Sequence, residues 1–151
     1  MTTISHSATA EVPVDVGFAY VADYRTVPRW FFGVTRFDPQ GGLDYGLGAI
    51  YDAELRIGPK AFTSVVQITE FEQDRLITLR SIAGFRTSSR WEFTPHADGR
   101  SRLFVEFTYD LPGGIAGRTL AKIVEPFAVQ AVRNTEATLR RQLENASDAA
   151  D

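Results

Sequence analysis

From Phe85 to Leu111 the chain alternates apolar and polar residues through two successive runs, and this pattern leaves few folds open. Phe85, Thr87, Ser89, Trp91 and Phe93 alternate with Arg86, Ser88, Arg90, Glu92 and Thr94. Leu103, Val105, Phe107, Tyr109 and Leu111 then alternate with Phe104, Glu106, Thr108 and Asp110. A period of two gives each strand one apolar face and one wet face. Between the runs, the loop Ala97-Asp98-Gly99 suits a bulged hairpin, with Gly99 free to take a left-handed conformation. Counting back from that loop sets Trp91 opposite Val105, Phe93 opposite Leu103 and Ser89 opposite Phe107. On the other face it sets Arg90 opposite Glu106 and Arg86 opposite Asp110, so the charges pair in the same register as the apolar residues. A sheet with so aromatic an inner face needs a large cover.

The rest of the chain supplies more strands and then the cover. Ile4, His6, Ala8, Ala10 and Val12 alternate with polar residues as a first strand, which Pro13 ends. Pro13 to Ala22 reads as a short helix with Val14, Phe18 and Val21 apolar, and Asp23 to Phe31 as a second short helical segment broken by Pro28. Val34 to Asp38 is a weak strand. Next, Tyr51, Ala53, Leu55 and Ile57 share one face of a strand, and the Gly58-Pro59 turn pairs Leu55 with Phe62 and Tyr51 with Val66. The turn at Gln73-Asp74 sets Ile68 opposite Leu79 and Val66 opposite Ser81. Antiparallel placement of the first strand beside the last sets Ala8 against Phe107 and Ala10 against Val105. The expected sheet has seven antiparallel strands.

After Leu111-Pro-Gly-Gly the period changes. Leu120, Ile123, Val124, Phe127, Ala131, Thr138 and Leu139 recur at helical spacing among charged residues, with Pro126 expected to kink or divide the helix. The expected organisation is a single α+β domain over residues 1–145 with a disordered tail at 146–151: a curved sheet wrapped around the long C-terminal helix, with two short helices after the first strand.

Composition narrows the function. The chain has no cysteine and two histidines, so thiol chemistry is excluded and a histidine-built metal centre is not expected. A net charge of −3 argues against a nucleic-acid partner. No apolar run approaches the length of a membrane span, and the first residues carry neither a basic segment nor an apolar run. The expectation is a cytoplasmic protein, monomer or homodimer, without cofactor or stable membrane insertion.

The element order, with Val12-Pro13-Val14-Asp15 before the first helix, Asp23, Pro28 and Trp30 in the second, Gly48 before the third strand and Asn134-Thr-Glu-Ala-Thr-Leu-Arg-Arg141 on the last helix, resembles the START-like helix-grip (SRPBCC) superfamily. The likeness is greatest to its polyketide cyclase/dehydrase-like branch. None of these residues forms a catalytic motif; they mark the fold. The resemblance implies a cavity between sheet and helix for sterols, lipids, polyketides or other apolar molecules, more than it implies a reaction.

Strand parity sorts the candidate residues. Asp52, Glu54, Arg80, Arg86, Arg90, Glu92, Glu106 and Asp110 fall outward as a solvated charge ladder. Inward lie the polar groups of Tyr51, Ser81, Thr87, Ser89 and Tyr109, with Glu70 near a strand end; they can orient a ligand but form no nucleophile–base pair. Leu55, Phe62, Val66, Leu79, Trp91 and Phe107, with Ile123 and Phe127 from the helix, are the apolar candidates for a ligand site or a filled core. His6 also points inward. The expected register brings it near Tyr109, the one candidate acid–base pair, although no third group orients its ring. His96 belongs to a hairpin loop. Phe18, Trp30 and Phe31 are assigned to packing of the short helices, and the Gly41-Gly42, Gly46, Gly48 segment to an entrance loop. The leading expectation is a protein that binds or carries a mostly apolar small molecule. The alternatives are a polyketide aromatase/cyclase and a protein-interaction module.

Overall fold

The computed structural model describes residues 2–31, 33–57, 59–110 and 114–150, with only part of the side chains in the last stretch. β1 (Thr2–Ala10) leads into α1 (Val14–Ala22), a 3-10 turn (Tyr24–Thr26), α2 (Val27–Trp30) and β2 (Val34–Pro39). Then come β3 (Ile50–Ile57), β4 (Lys60–Glu72), β5 (Leu76–Gly84), β6 (Arg86–His96), β7 (Arg100–Asp110) and α3 (Gly114–Ala150). The seven described strands form one sheet in the order β1-β7-β6-β5-β4-β3-β2, antiparallel throughout. This is the α+β helix-grip architecture.

The strands joined by short turns have the register that the turns dictate. Trp91 faces Val105, Phe93 faces Leu103, Ser89 faces Phe107, Arg90 faces Glu106 and Arg86 faces Asp110. At the turn, Asp98 (φ 58°) and Gly99 (φ 73°) are both left-handed, as a hairpin loop that follows the strand twist requires. Leu55 meets Phe62, Tyr51 meets Val66, Ile68 meets Leu79 and Val66 meets Ser81. Gly58, of the expected Gly58-Pro59 turn, lies outside the described residues.

Two expectations fail, each for a local reason. β1 pairs Ala8 with Leu103 and Ala10 with Ser101, four positions from the expected partners Phe107 and Val105. No tight turn joins β1 to β7, and an even shift preserves which residues face inward, so the hydrophobic pattern cannot register it. The β4–β5 ladder also breaks between Ile68 and Glu70. The extra residue of that bulge reverses the parity. Ile68 and Phe71 both pack into the core, while Glu70 turns outward to accept from Thr78 Oγ1 at 3.1 Å and to meet Arg90 at 3.6 Å.

Two clusters pack behind the sheet. The larger joins Phe18, Val21, Trp30, Tyr51, Trp91 and Phe93 to Leu139 and Leu143 from the far half of α3. The smaller joins Val124 of α3 to Ile57 and Tyr109, with Phe62, Phe85 and Phe107 packed around them. Pro126 lies inside α3 without dividing it. Gln142 ties that helix to the short ones: its amide donates to the Arg29 carbonyl at 2.9 Å and its carbonyl accepts from the Tyr20 hydroxyl.

Candidate ligand cavity

The segment after α1 is built to place an indole. Asp23 ends α1 in extended conformation and caps the following turn, accepting from the Arg25 amide at 3.1 Å. The Arg25 guanidinium holds the same carboxylate through two bonds of 3.0 and 2.9 Å. That pairing keeps the Asp23 carboxyl below the usual carboxylate range. Thr26, buried one turn on, donates to the carbonyls of Tyr20 and Asp23 at 2.7 and 2.8 Å, and its Oγ1 accepts from Trp30 Nε1 at 2.9 Å. Trp30 is thereby fixed with its polar edge satisfied and its ring against the sheet.

There it meets the aromatic face of the hairpin. Trp30 and Trp91 cross edge to face with centroids 5.0 Å apart, and Phe31 meets Trp91 at 5.5 Å and Phe107 at 6.2 Å. These groups do not fill the interior. Between them, Leu55, Val66 and Ile68 of β3 and β4, and Ile77, Leu79, Thr87 and Ser89 of β5 and β6, runs a cavity of about 80 Å³. It spans the seam between the two core clusters, with Phe85, Phe107 and Leu55 from the smaller and the rest mostly from the larger. Its described lining holds no Asp, Glu, His, Lys or Arg. A ligand pocket for a drug-sized molecule occupies roughly 300–1,000 Å³, so this one has the room of a single ring.

Of the residues expected at a ligand site, Tyr51, Leu55, Val66, Leu79, Thr87, Ser89, Trp91 and Phe107 line this cavity. Phe62, Ser81 and Tyr109 are not among its walls. Phe62 packs on Phe85 with centroids 5.1 Å apart, and the Ser81 hydroxyl is taken by the Thr87 amide at 3.0 Å. Tyr109 is buried with Ile57 and Val124 in the smaller cluster, and burial raises its pKa, an effect that Thr2 across the ladder partly offsets. The side chains of Ile123 and Phe127 lie outside the described residues.

The expected His6–Tyr109 pair is not formed: His6 sits opposite Val105, while Tyr109 is opposite Thr2. Four strand positions separate them, about 13 Å along β7, beyond the reach of any shared proton.

Trp30 and Phe31, assigned from sequence to packing alone, are cavity walls, as are Val21, Ala22, Tyr24 and Val27 from the same helical segments. The signal that marks them is the apolar cluster of Val27, Trp30 and Phe31, in a segment too short to show a helical face by periodicity. The Tyr51 hydroxyl leaves the cavity and donates to the Asp44 carbonyl in the glycine-rich loop at 2.8 Å. Burial, with Asp44 next in effect, pushes the Tyr51 pKa up to about 12.

Comparison with known proteins agrees with this geometry. The protein TTHA0849 from Thermus thermophilus superposes with a TM-score of 0.82 at 17% identity, covering 97% of this chain and 99% of its own. The Zhui aromatase/cyclase from Streptomyces sp. R1128 gives 0.78 at 14% identity, over 99% and 97% of the two chains. A START superfamily protein from Mycobacterium smegmatis gives 0.77 at 13% identity, over 95% and 98%. At these identities the likeness is one of fold. No curated protein matches the chain. The family model described as polyketide cyclase/dehydrase and lipid transport matches residues 1–144, nearly the whole sequence, and the chain belongs to that family.

Proposed function

We propose that this protein binds or carries a mostly apolar small molecule in the cavity between the inner face of the sheet and the short helical segments. The observation that carries the reading is a cavity walled by Trp30, Phe31, Trp91 and Phe107, with no acid, base or cation among its described walls. Burying apolar ligand surface there gains roughly 25 cal/mol per Å², and no charged side chain is left to be desolvated. Mass spectrometry of organic extracts from the purified protein, together with thermal shift across a panel of small aromatic and lipid compounds, tests it. The expected result is a co-purifying apolar compound, or a rise in melting temperature with some panel members. An empty protein that no compound stabilises contradicts the reading.

A second reading, an aromatase/cyclase, draws on the family description and on the Streptomyces neighbour. Its residues would be tyrosines and hydroxyls that orient a reactive chain by confinement. The distance between His6 and Tyr109 favours the binding reading over this one. Turnover of a polyketide substrate that falls on His6→Ala and on Tyr109→Phe would reverse that preference.

A further inference from the structure

On the inner face of β6, Thr87, Ser89 and Trp91 stand at alternate positions, and all three line the cavity. Ser89 is the anomaly among them. Its ladder partners are Leu79 and Phe107, both apolar and both cavity walls, and it is only 6% exposed. A core position in such surroundings is better filled by Ala or Val, because a buried hydroxyl without a partner gives up its hydration for nothing. No hydrogen bond joins Ser89 Oγ to a described residue, yet that oxygen is not among the fully occluded polar atoms, so it keeps open surface. Three of the other polar walls are engaged, whereas the Thr87 and Tyr24 hydroxyls, like that of Ser89, make no hydrogen bond to a described residue. Trp30 Nε1 donates to Thr26, Ser64 Oγ donates to the Phe85 carbonyl at 2.9 Å, and the Tyr51 hydroxyl donates to the Asp44 carbonyl. Trp91 Nε1 has no partner among the described residues, but it has no open surface either.

We propose that the ligand is a neutral, single-ring, mostly apolar molecule bearing an acceptor oxygen, and that Ser89 Oγ–H donates to that oxygen. This rests on the reading that the cavity binds a ligand. Ring size follows from the volume of about 80 Å³, and neutrality from the absence of any charged group in the described lining. The acceptor oxygen follows from the open Ser89 hydroxyl between the apolar partners Leu79 and Phe107, with the Thr87 hydroxyl beside it at the next inward position.

Acetophenone and α-methylstyrene test this directly, since they share one shape and differ by C=O against C=CH₂. Their dissociation constants are measured by calorimetry for the wild type, for Ser89→Ala and for Ser88→Ala, whose side chain lies outside the cavity. The proposal expects the preference for ketone over alkene to fall about 3–10-fold in Ser89→Ala. It expects an unchanged preference in Ser88→Ala and nearly unchanged alkene affinity in both variants. The carbonyl ¹³C signal of bound, labelled acetophenone should move downfield in the wild type and less in Ser89→Ala. If the ketone preference survives Ser89→Ala, a trapped water or nothing satisfies the hydroxyl and the proposal falls while ligand binding stands. If neither probe binds the wild type saturably, the binding reading falls, and this proposal with it.

Discussion

Tyr51 divides its side chain between two environments. Its ring stacks on Phe37 with centroids 4.5 Å apart and walls the cavity, while its hydroxyl reaches the Asp44 carbonyl. Phenolate in that position loses hydration and gains a negative neighbour, so the folded protein holds the Tyr51 proton up to about pH 12 against an ordinary value of 10. A pKa raised on folding stabilises the native state fully below the ordinary value, and that stabilisation disappears as pH rises through the folded value. Wild type should therefore lose stability relative to Tyr51→Phe between about pH 10 and pH 12, and the two curves should run parallel at lower pH. Denaturant midpoints measured across that range check it. The inward direction of Tyr51 was legible from alternation alone. Its bond to a loop carbonyl was not, because no periodicity constrains where a glycine-rich loop crosses. Ser89 is the converse: parity places it inward, but only its apolar ladder partners reveal that its hydroxyl has nothing to bond.

At the scale of elements, turns decided what the sequence made legible. The β3–β4 and β6–β7 pairs, closed by short turns, have their expected register throughout, whereas β1, which reaches β7 across the whole domain, is displaced by four residues. That displacement separates His6 from Tyr109, so one undetermined register parted the expected acid–base pair. The bulge after Ile68 is equally silent in the pattern, since Ile68 and Phe71 satisfy neither parity alone. Gly84 marks a further constraint. It lies where β5 gives way to β6, with φ at +78°, and a Cβ there would collide with the Thr63 carbonyl oxygen and lie 3.1 Å from Ser64 Cα. The adjacent Phe85 amide donates to that same carbonyl at 3.1 Å. Gly84→Ala should therefore cost about 2–4 kcal/mol, combining left-handed strain with the clash. Gly46→Ala, at φ +84° but with no heavy atom within 4 Å, should cost only about 1–2 kcal/mol. Urea unfolding of both variants measures the difference.

The molecule as a whole is an aromatic sheet face whose cover does not close completely. The larger cluster gathers the short helices and the far half of α3, the smaller gathers Val124 with the other end of the sheet, and the cavity lies at their junction. Sequence parity foretold the inner face, and the switch to helical spacing foretold its cover. The void was not legible, because whether side chains fill a space depends on rotamers and on how deeply Trp30 and Phe31 are inserted. Trp30 ends a helix of four residues and Phe31 caps it, a segment too short to show a face by periodicity. The chain has two tryptophans, Trp30 and Trp91, and both line the cavity. Their indole N–H resonances therefore report on it directly. The most direct test is an NMR titration of ¹⁵N-labelled protein with a panel of one-ring ketones, phenols and alkenes. Ligand occupancy predicts that both indole signals shift saturably, while the amide of Arg86 on the outer face stays fixed. Indole signals that remain in place across the panel, or shifts confined to outward-facing residues, would contradict a ligand cavity in this fold.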